Sequence, residues 1–526
     1  MKKQISTFLI ILLYLCSSNL IYSQTPGSLD LSFNGKGYIE TDFSITSRVY
    51  GIAVQSDGKI VACGSSYFNG YNIAMARYNS DGSPDTDFGQ SGTGHFSHVF
   101  GASDEFVTDV VLQPDGKILI SGYTNTSGSY LSNSFVARFN EDGSFDNTFS
   151  SDGIQIINVS DFDNANSIFL QEDGKILVYG TSNSGSGSNN LCVSRLLENG
   201  QIDLSFGSSG TTIIDVDDES HDYGEGIGVS NGNIYLAGLS YSDTDNIVVL
   251  KLDSSGHLDN SFGDNGVTSF EMDLYNIIMT NGTDLIITQD NKIAVSAFQC
   301  AGTDVDFVVV KVLMNGFPDE DFGIHGVVVT DMIGDNKPFS IIEQPNGDLL
   351  LGGYHKDIVN DKDFTIARYL DNGDLDATFG NHYGVTWNNL SSNISNPVDI
   401  IYSMAMQEDG KIVAAGYSMG PDHPNFTVAR YYSGLEVGIE SNKTSYEPHI
   451  YYDSQNSTIN IKYNINNCQN KLQVIVYDQN GRKVGLNNVT DDTKGNYSLQ
   501  FNNSPGVYIV IINAGQKHYS KKLIAF

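Results

Sequence analysis

The sequence predicts an all-β chain: a seven-bladed β-propeller with a split closing blade, followed by a small C-terminal β-sandwich. Three observations support this fold class. A unit of four short strands recurs seven times over residues 24–432, its turn glycines at Gly58, Gly116, Gly174 and Gly232 lie 58 residues apart, and the array begins and ends part-way through a unit. Four strands per unit at this period are typical of propeller blades.

The first two strands of each unit form a hairpin. An apolar run leads into a polar turn, often Asp-Gly, and a second apolar run follows, as in Ile52–Gly64. Asp-Gly between apolar runs favours a tight hairpin turn. The seven hairpins start at Ile52, Val110, Ile168, Ile227, Leu285, Ile341 and Met404.

The third strand carries one basic residue in every unit, and the LDxxF-like motif that follows carries one acid. The bases are Arg77, Arg138, Arg195, Lys251, Lys311, Arg368 and Arg430. The acids are Asp30, Asp85, Asp146, Asp203, Asp259, Asp319 and Asp376. A half-buried cation needs a partner, so base and acid are expected to pair within or between blades. Recurrence in every unit indicates a structural role, and the Phe of the motif (Phe33 to Phe379) is expected in the core between blades.

The two ends of the array are complementary. It opens with an LDxxF motif and a fourth strand, and it closes with a hairpin and a third strand but no LDxxF motif. Residues 27–43 should therefore complete the blade that begins near Met404. Such closure removes two free sheet edges, which are otherwise liable to pair with other chains.

Calcium is the metal ion for which the sequence offers candidate ligands. The turns before two LDxxF motifs are rich in oxygen ligands, with Asp253 and Asp259 in one and Asp371 and Asp376 in the other. They lack the alternating acidic ladder and the distal bidentate Glu of a calcium loop. An ordinary Asx or type I turn is the favoured interpretation, so these four residues are only candidate ligands and no cofactor is assigned.

No residue is assigned a catalytic role. The pair His95 and His98 is interpreted as a surface pair on a strand, and neither HExxH, GxSxG nor a phosphate-binding GxxxxGK[ST] motif occurs. The single Trp387 lies outside the context of a sialidase-type Asp box. Four cysteines remain after the leader (Cys63, Cys192, Cys300 and Cys468), interpreted mainly as buried apolar residues, with a disulfide as the alternative.

The chain ends differ from the repeat region. Residues 1–23 have a basic start and a short apolar run, as in an export signal, and no later segment is expected to span a membrane. Residues 433–445 are predicted to be a linker, and 446–526 a sandwich of short strands. Residues 25–437 hold 17 Lys and Arg against 56 Asp and Glu, a net charge of −39. A body this acidic repels phosphate backbones, so a nucleic-acid partner is not expected.

Two resemblances follow from these motifs. The combination of LDxxFG, the AVQSDGKIVACG-type hairpin and VARY resembles the delta-60 repeat family, which implies a propeller and little about function. Val474–Val484 and Ser504–Ile512 resemble the C-terminal sorting domain of the Bacteroidetes type IX secretion system, although Glu447-Pro-His stands in place of the usual Pro-Asn-Pro. That resemblance implies handling of residues 446–526 by the secretion machinery, and a secreted or outer-surface location.

Two functions stay open at this level. The first is a non-catalytic propeller that binds an extracellular glycan, protein or matrix component through variable loops such as Thr181–Asn190 and Asp357–Lys362. The second is an extracellular hydrolase or lyase acting on polysaccharide through carboxylates at the channel mouth. Asymmetric clustering of acids and aromatics at one channel mouth would favour the enzyme, and binding without turnover would favour the first function.

Overall fold

A computed structural model describes most of the chain. The described residues are 25–43, 46–89, 92–99, 104–125, 131–183, 187–217, 220–241, 245–272, 284–301, 304–356, 361–391, 394–395 and 397–435, and the strands of the tail from 446 onward. The export signal at 1–23 and most of the linker lie outside them. Over these residues the secondary structure consists of β-strands, with no α-helix.

The chain divides into two compact units, residues 1–437 and 438–526. The strands of the first half of unit 1 are β1 (Tyr38–Thr41), β2 (Ser47–Val54), β3 (Ile60–Tyr67), β4 (Tyr71–Tyr78), β5 (His95–His98), β6 (Asp104–Leu112), β7 (Ile118–Asn125), β8 (Ser132–Phe139), β9 (Ile154–Ile157), β10 (Phe162–Leu170), β11 (Ile176–Asn183), β12 (Asn190–Leu196) and β13 (Thr211–Ile214). Those of its second half are β14 (His221–Ser230), β15 (Asn233–Tyr241), β16 (Asp245–Leu252), β17 (Val267–Met272), β18 (Asp284–Ile287), β19 (Lys292–Ala301), β20 (Asp304–Leu313), β21 (Val327–Thr330), β22 (Asn336–Glu343), β23 (Leu349–Lys356), β24 (Lys362–Tyr369), β25 (Val385–Asn388), β26 (Ile400–Met406), β27 (Ile412–Met419) and β28 (Pro424–Tyr431).

The described strands of unit 1 sort into antiparallel sets of four. We number them blades 1 to 6 in chain order, from β2–β5 to β22–β25; blades 2 and 3 are linked by one parallel bridge between Ser132 and Phe162. The remaining set, the split blade, has the order β1-β28-β27-β26, so the N-terminal strand pairs with a strand some 390 residues later through Tyr38↔Ala429 and Thr41↔Phe426. The all-β propeller class predicted from the repeat is confirmed.

Each blade begins with the predicted hairpin. In blade 1 the Gln55 N–H donates to the Lys59 carbonyl, and the Lys59 N–H donates to the Asp57 carboxylate. Gly58 takes a φ of +84°, a left-handed conformation that costs glycine little. The local sequence therefore fixes the turn and, with it, the register of the first two strands.

A second recurrent glycine permits a bulge in the first strand of the blade. The register of β6 with β7 shifts between Val107 and Asp109, and Gly122 lies opposite this shift. A Cβ on Gly122 would lie only 2.0 Å from the Phe106 carbonyl oxygen. Equivalent glycines face the same close approach in other blades, for example Gly64 and Gly416. The glycine that closes the hairpin motif thus makes room for a β-bulge.

The core lies between neighbouring blades. Cys63 and Met75 of blade 1, for example, pack with Val107 and Phe135 of blade 2. The innermost strands of consecutive blades contact each other around the unit, and β2 also contacts β26 of the split blade. These first strands therefore surround the axis.

Unit 2 is also built from strands. They are β29 (Tyr446–Asp453), β30 (Thr458–Asn464), β31 (Leu472–Asp478), β32 (Lys483–Val489), β33 (Lys494–Gln500), β34 (Gly506–Ala514) and β35 (Lys517–Ala525). They form two antiparallel sheets, of order β29-β30-β33 and β32-β31-β34-β35. Ile459, Val474, Val476 and Val510 are buried, as expected of a small hydrophobic core.

Candidate functional site in the central channel

The bulge of the first strand points one side chain per blade toward the axis. A bulge leaves one residue out of register and re-aims its side chain. The bulge residues are Tyr50, Thr108, Asn166, Glu225, Phe339 and Tyr402. The equivalent residue of blade 5, Thr283, lies outside the described residues. We call these six residues the bulge ring.

The bulge ring lines a central cavity. All six of its members contribute, together with the residue that follows the bulge position in several blades: Asp109, Ser167, Asp284, Ser340 and Ser403. The cavity is open to solvent and has a volume of about 120 Å³. The seven repeats are most alike in their hairpins and LDxxF motifs, yet here their side chains range from Thr to Glu to Tyr.

Three consecutive blades supply an aromatic sector. The ring centroid of Tyr402 lies 4.9 Å from that of Tyr50 and 4.7 Å from that of Phe339. Tyr417 stacks on Tyr402 at 6.1 Å, and Tyr354 lies 6.1 Å from Phe339. Burial raises the pKa of Tyr402, so its hydroxyl stays neutral and can both donate and accept. Stacked neutral tyrosines of this kind offer apolar faces with polar edges.

The opposite sector is polar and acidic. Asp109 accepts hydrogen bonds from the Ile168 N–H (3.0 Å) and the Ser167 hydroxyl (3.2 Å) of the next blade. Asp284 likewise accepts from the Ile341 N–H of its next blade (3.1 Å). Burial raises the pKa of Asp109 to about 6 and that of Asp284 to about 7. These two carboxyl groups join neighbouring blades at the axis.

The recurrent base and acid come together in most blades, away from the channel. The shortest N–O distances are Arg77–Asp85 2.6 Å, Arg138–Asp146 2.8 Å, Arg195–Asp203 2.9 Å, Lys251–Asp259 2.7 Å, Arg368–Asp376 2.6 Å and Arg430–Asp30 2.7 Å. The last pair joins the two ends of the array. The arginine also bridges blades, since the Arg138 Nη1 donates to the Glu198 carbonyl of blade 3 at 2.7 Å.

Blade 5 departs from this arrangement. Lys311 Nζ binds Asp371 of the next blade at 2.9 Å, whereas Asp319 is held by Lys292 at 2.8 Å. A lysine lacks the planar fork of arginine and can turn to another carboxylate. The Phe of the LDxxF motif is buried in every blade. In the five pairs that contain an arginine, the guanidinium stacks over this Phe, as Arg138 does over Phe149 at 4.7 Å. We call the base, acid and Phe the Arg–Asp–Phe layer.

The calcium candidates are engaged in local contacts. Asp253 accepts the N–H groups of Ser255 and His257, the pattern of an Asx turn. Asp371 pairs with Lys311, and Asp259 and Asp376 belong to the ion pairs above. Over the residues that the structure describes, no group of three or more His, Cys, Asp or Glu is placed to hold a metal ion. The structure thus brings no two of these turns together.

The histidine pair, the cysteines and the variable loops singled out in the sequence lie in different parts of the chain. His95 and His98 lie on β5 beside Phe43 and Phe145. Cys63 and Cys192 are buried free thiols. In the variable loops, residues 184–186 and 357–360 lie outside the described residues, as does Cys468.

The bulge ring escaped the sequence reasoning, although a signal for it was available. Its members stand two residues before the start of each hairpin, in a column that holds five residue types over the seven units. The column after it holds only Gly, Asp or Ser, and the hairpin that follows repeats closely. A position whose residue varies among the repeats is a better candidate for ligand binding than a position whose residue is the same in every repeat. The pattern alone could not show that this column faces the axis, because the bulge changes the side on which the residue emerges.

Comparison with known families agrees with this architecture. Residues 55–88, 113–149, 171–206, 230–262 and 344–379 match a domain of unknown function (DUF5122) described as a β-propeller. Residues 450–525 match the secretion system C-terminal sorting domain. The chain is a β-propeller protein with a type IX secretion sorting domain, and it is exported to the cell surface or beyond. No curated protein matches the chain.

Solved structures show distant likeness. An ulvan lyase of polysaccharide lyase family PL25 is 10% identical, with 76% of this chain and 96% of that chain covered and a TM-score of 0.43. The polysaccharide lyase Uly1 is 10% identical over 73% and 90%, with a TM-score of 0.42. The β-propeller domain of the Trilobed protease from Pyrococcus furiosus is 6% identical over 73% and 95%, with a TM-score of 0.37. At these scores the likeness carries no argument about activity.

Proposed function

We propose that this exported propeller binds an extracellular glycan at its central channel and does not transform it. The observation that carries the proposal is the bulge ring, where the repeat breaks its own pattern and gathers Tyr50, Phe339 and Tyr402 on one side of an open cavity. Aromatic faces pack against the apolar faces of sugar rings, while tyrosine hydroxyls and the polar residues opposite, Thr108 and Asn166, can bind sugar hydroxyls.

The division of the cavity into aromatic and acidic sectors also supports a second candidate, a polysaccharide-degrading enzyme. Asp109 and Asp284 have pKa values of about 6 and about 7, the range in which a carboxyl group can serve as a general acid. Their oxygens, however, already accept N–H groups of the next blade. A general acid must be able to turn to the substrate, so we favour binding.

The test combines binding and turnover on the full chain. Glycans found by array screening would be titrated calorimetrically, and the same mixtures would be analysed chromatographically for shortened or unsaturated products. Tyr402→Ala should weaken binding at least tenfold, since burying one aromatic side chain contributes about 1.5–3 kcal/mol. Tyr383→Ala is the matched control, because Tyr383 is 84% exposed and does not line the cavity.

The outcomes separate the two candidates. Binding without product, lost in Tyr402→Ala and kept in Tyr383→Ala, supports the proposal. Product formation that disappears in Asp109→Asn or Asp284→Asn would replace it with the enzyme. Glycan binding that is indifferent to Tyr402 would place the ligand elsewhere and refute the assignment to the channel.

A further inference from the structure

Arg48 stands apart from the other arginines of the propeller. Of the six arginines in residues 24–432, five are the recurrent bases of the third strand, and Arg48 is the sixth. It lies on β2, two residues before the bulge residue Tyr50. The equivalent positions in other blades hold Phe106, Asn164, Tyr223, Lys337 and Ile400. Arg48 is therefore a feature of one blade and not of the repeat.

The surroundings of Arg48 are aromatic. Its Cζ lies 4.7 Å over the ring of Tyr417, and the Tyr50 hydroxyl also acts on its pKa. Burial disfavours the charged guanidinium, but the oxygens of Tyr50, Tyr417 and Tyr402 more than offset this, so the pKa of Arg48 is raised. The group is thus always positively charged.

What Arg48 lacks is a counter-ion. No carboxylate among the described residues lies within ion-pair distance of it, and its buried Nε has no hydrogen-bond partner. By contrast, Arg138 binds Asp146 and two further oxygens. A partly buried cation without a partner is costly. Arg48 is partly exposed, and the planar fork of a guanidinium fits the two oxygens of an oxyanion.

Further positive charge lies in the same sector. Lys337 Nζ lies 5.3 Å from the Phe339 ring centroid, and Lys362 Nζ lies 3.9 Å from that of Tyr354. Burial lowers the pKa of Lys362, as expected where cations are crowded. The cations thus lie on blade 6 and blade 1, either side of the split blade that supplies Tyr402 and Tyr417. Lys337 is buried and engaged in other contacts, whereas Arg48 and Lys362 are partly exposed.

We infer that the glycan bound at the channel carries an anionic group, a carboxylate or a sulfate, and that Arg48 binds this group while Tyr50 and Tyr402 pack against the sugar. The inference rests on the proposed function and adds the chemical class of the ligand. The guanidinium is pre-organised for this role, since stacking on Tyr417 fixes its plane.

The experiment compares charged and neutral forms of one sugar. The full chain would be titrated with a uronic-acid oligosaccharide and with its methyl ester, and with a sulfated oligosaccharide and its desulfated form. The wild type should bind at least one anionic form tenfold or more tightly than its neutral counterpart. Which of the two pairs shows the difference identifies carboxylate or sulfate as the recognised group.

Variants at Arg48 connect this preference to the residue. Arg48→Gln should weaken binding of the anionic form about 10- to 100-fold, the loss of hydrogen bonds to a charged group, and leave the neutral form within about twofold. Arg48→Lys keeps the charge without the fork and should fall between. Lys36→Gln is the matched control: it removes one charge, and Lys36 also lies over a tyrosine ring, 3.9 Å from that of Tyr38, but it already pairs with Glu40 at 2.8 Å.

Failure of the inference differs from failure of the proposed function. If charged and neutral forms bind equally and Arg48→Gln changes neither, while Tyr402→Ala weakens both, the inference is wrong and glycan binding stands. If no form binds, both fall. If Arg48→Gln lowers the melting temperature of the full chain, Arg48→Lys is used instead. A lower ratio of charged-form to neutral-form affinity in Arg48→Lys than in the wild type supports the inference, and an unchanged ratio contradicts it.

Discussion

The Arg–Asp–Phe layer and the bulge ring lie in the same blades and obey opposite rules. In the layer, a base, an acid and a phenylalanine recur in every unit, and the pairs Arg138–Asp146 and Arg430–Asp30 have nearly the same geometry. In the ring, the six described positions carry five different residue types, and only the adjacent Tyr50 and Tyr402 are alike. Beside the ring, Arg48 has no carboxylate within ion-pair distance among the described residues. The difference teaches that repetition marks what holds the blades together, and that deviation marks where a ligand is expected.

The largest effect should come from breaking the layer. Asp146→Leu leaves the buried Arg138 without a carboxylate, and Arg138→Met leaves Asp146 with only the partly exposed Lys117, 3.5 Å away. Breaking a buried pair typically costs about 3–5 kcal/mol. Since each side chain is at most 6% exposed, solvent screens the pair little. The free energy of unfolding of the full chain, measured by denaturant titration, should fall by this amount in either variant. Ligand affinity per folded molecule should not change.

The double variant sharpens this expectation. Arg138→Met with Asp146→Leu should lose less than the sum of the single losses, because neither charge is then left unpaired. The more exposed pair Lys251–Asp259 is the control, where Lys251→Met should cost less. Strictly additive losses at Arg138 and Asp146 would show that the pair does not act as a unit.

A smaller loss should follow from filling the space behind a bulge. Gly416→Ala would place a Cβ about 1.8 Å from the Ile400 carbonyl, opposite the bulge that presents Tyr402. We expect a loss of about 1–3 kcal/mol from overpacking, together with weaker glycan binding. Gly122→Ala produces the same clash behind Thr108 of blade 2. Its stability loss should be similar and its effect on binding smaller, a contrast that calorimetric titration of both variants would measure.

The smallest effect is on the pH dependence of stability. Asp30, Asp146 and Asp259 have pKa values of about 2 in the folded chain, below the unfolded value of about 4, so their stabilisation is complete above pH 4 and is lost as the pH falls toward 2. Asp109 and Asp284 have pKa values of about 6 and about 7, so they bind protons more tightly when folded, and stability declines as the pH rises from 4 to 7.

The melting temperature of the full chain should therefore be highest near pH 4–5. Asp109→Asn with Asp284→Asn should reduce the decline between pH 4 and 7 and leave the acid limb unchanged, whatever their constant effect on stability. Part of the decline should remain, because burial also raises the pKa of Asp399 to about 6 and that of Glu105 to about 7. An unaltered slope in that variant would mean that these two carboxyl groups are not the origin of the neutral limb. The layer thus contributes to the acid limit of stability, and the two carboxyl groups at the axis contribute to its decline toward neutral pH.

The sequence by itself determined the propeller class, the hairpin turns and the choice of β1 as the partner of the last repeat. It could do so because turn glycines, strand alternation and a 58-residue period are local or arithmetic properties of the chain. It also named the bases and acids that the structure brings together in most blades, but it did not foresee that Lys311 and Asp319 take other partners, since a flexible lysine chooses among carboxylates only in three dimensions.

Only the tertiary structure decided what faces the axis. Tyr50, Phe339 and Tyr402 lie some 60 to 350 residues apart along the chain and become neighbours because the ring brings blades 6 and 1 to either side of the split blade. A bulge then turns each of them toward the cavity. The closed ring also places Arg48 of blade 1 against Tyr417 of the split blade. Contacts between distant strands depend on how the ring of blades closes and on how the strands align, and the sequence of a single repeat specifies neither.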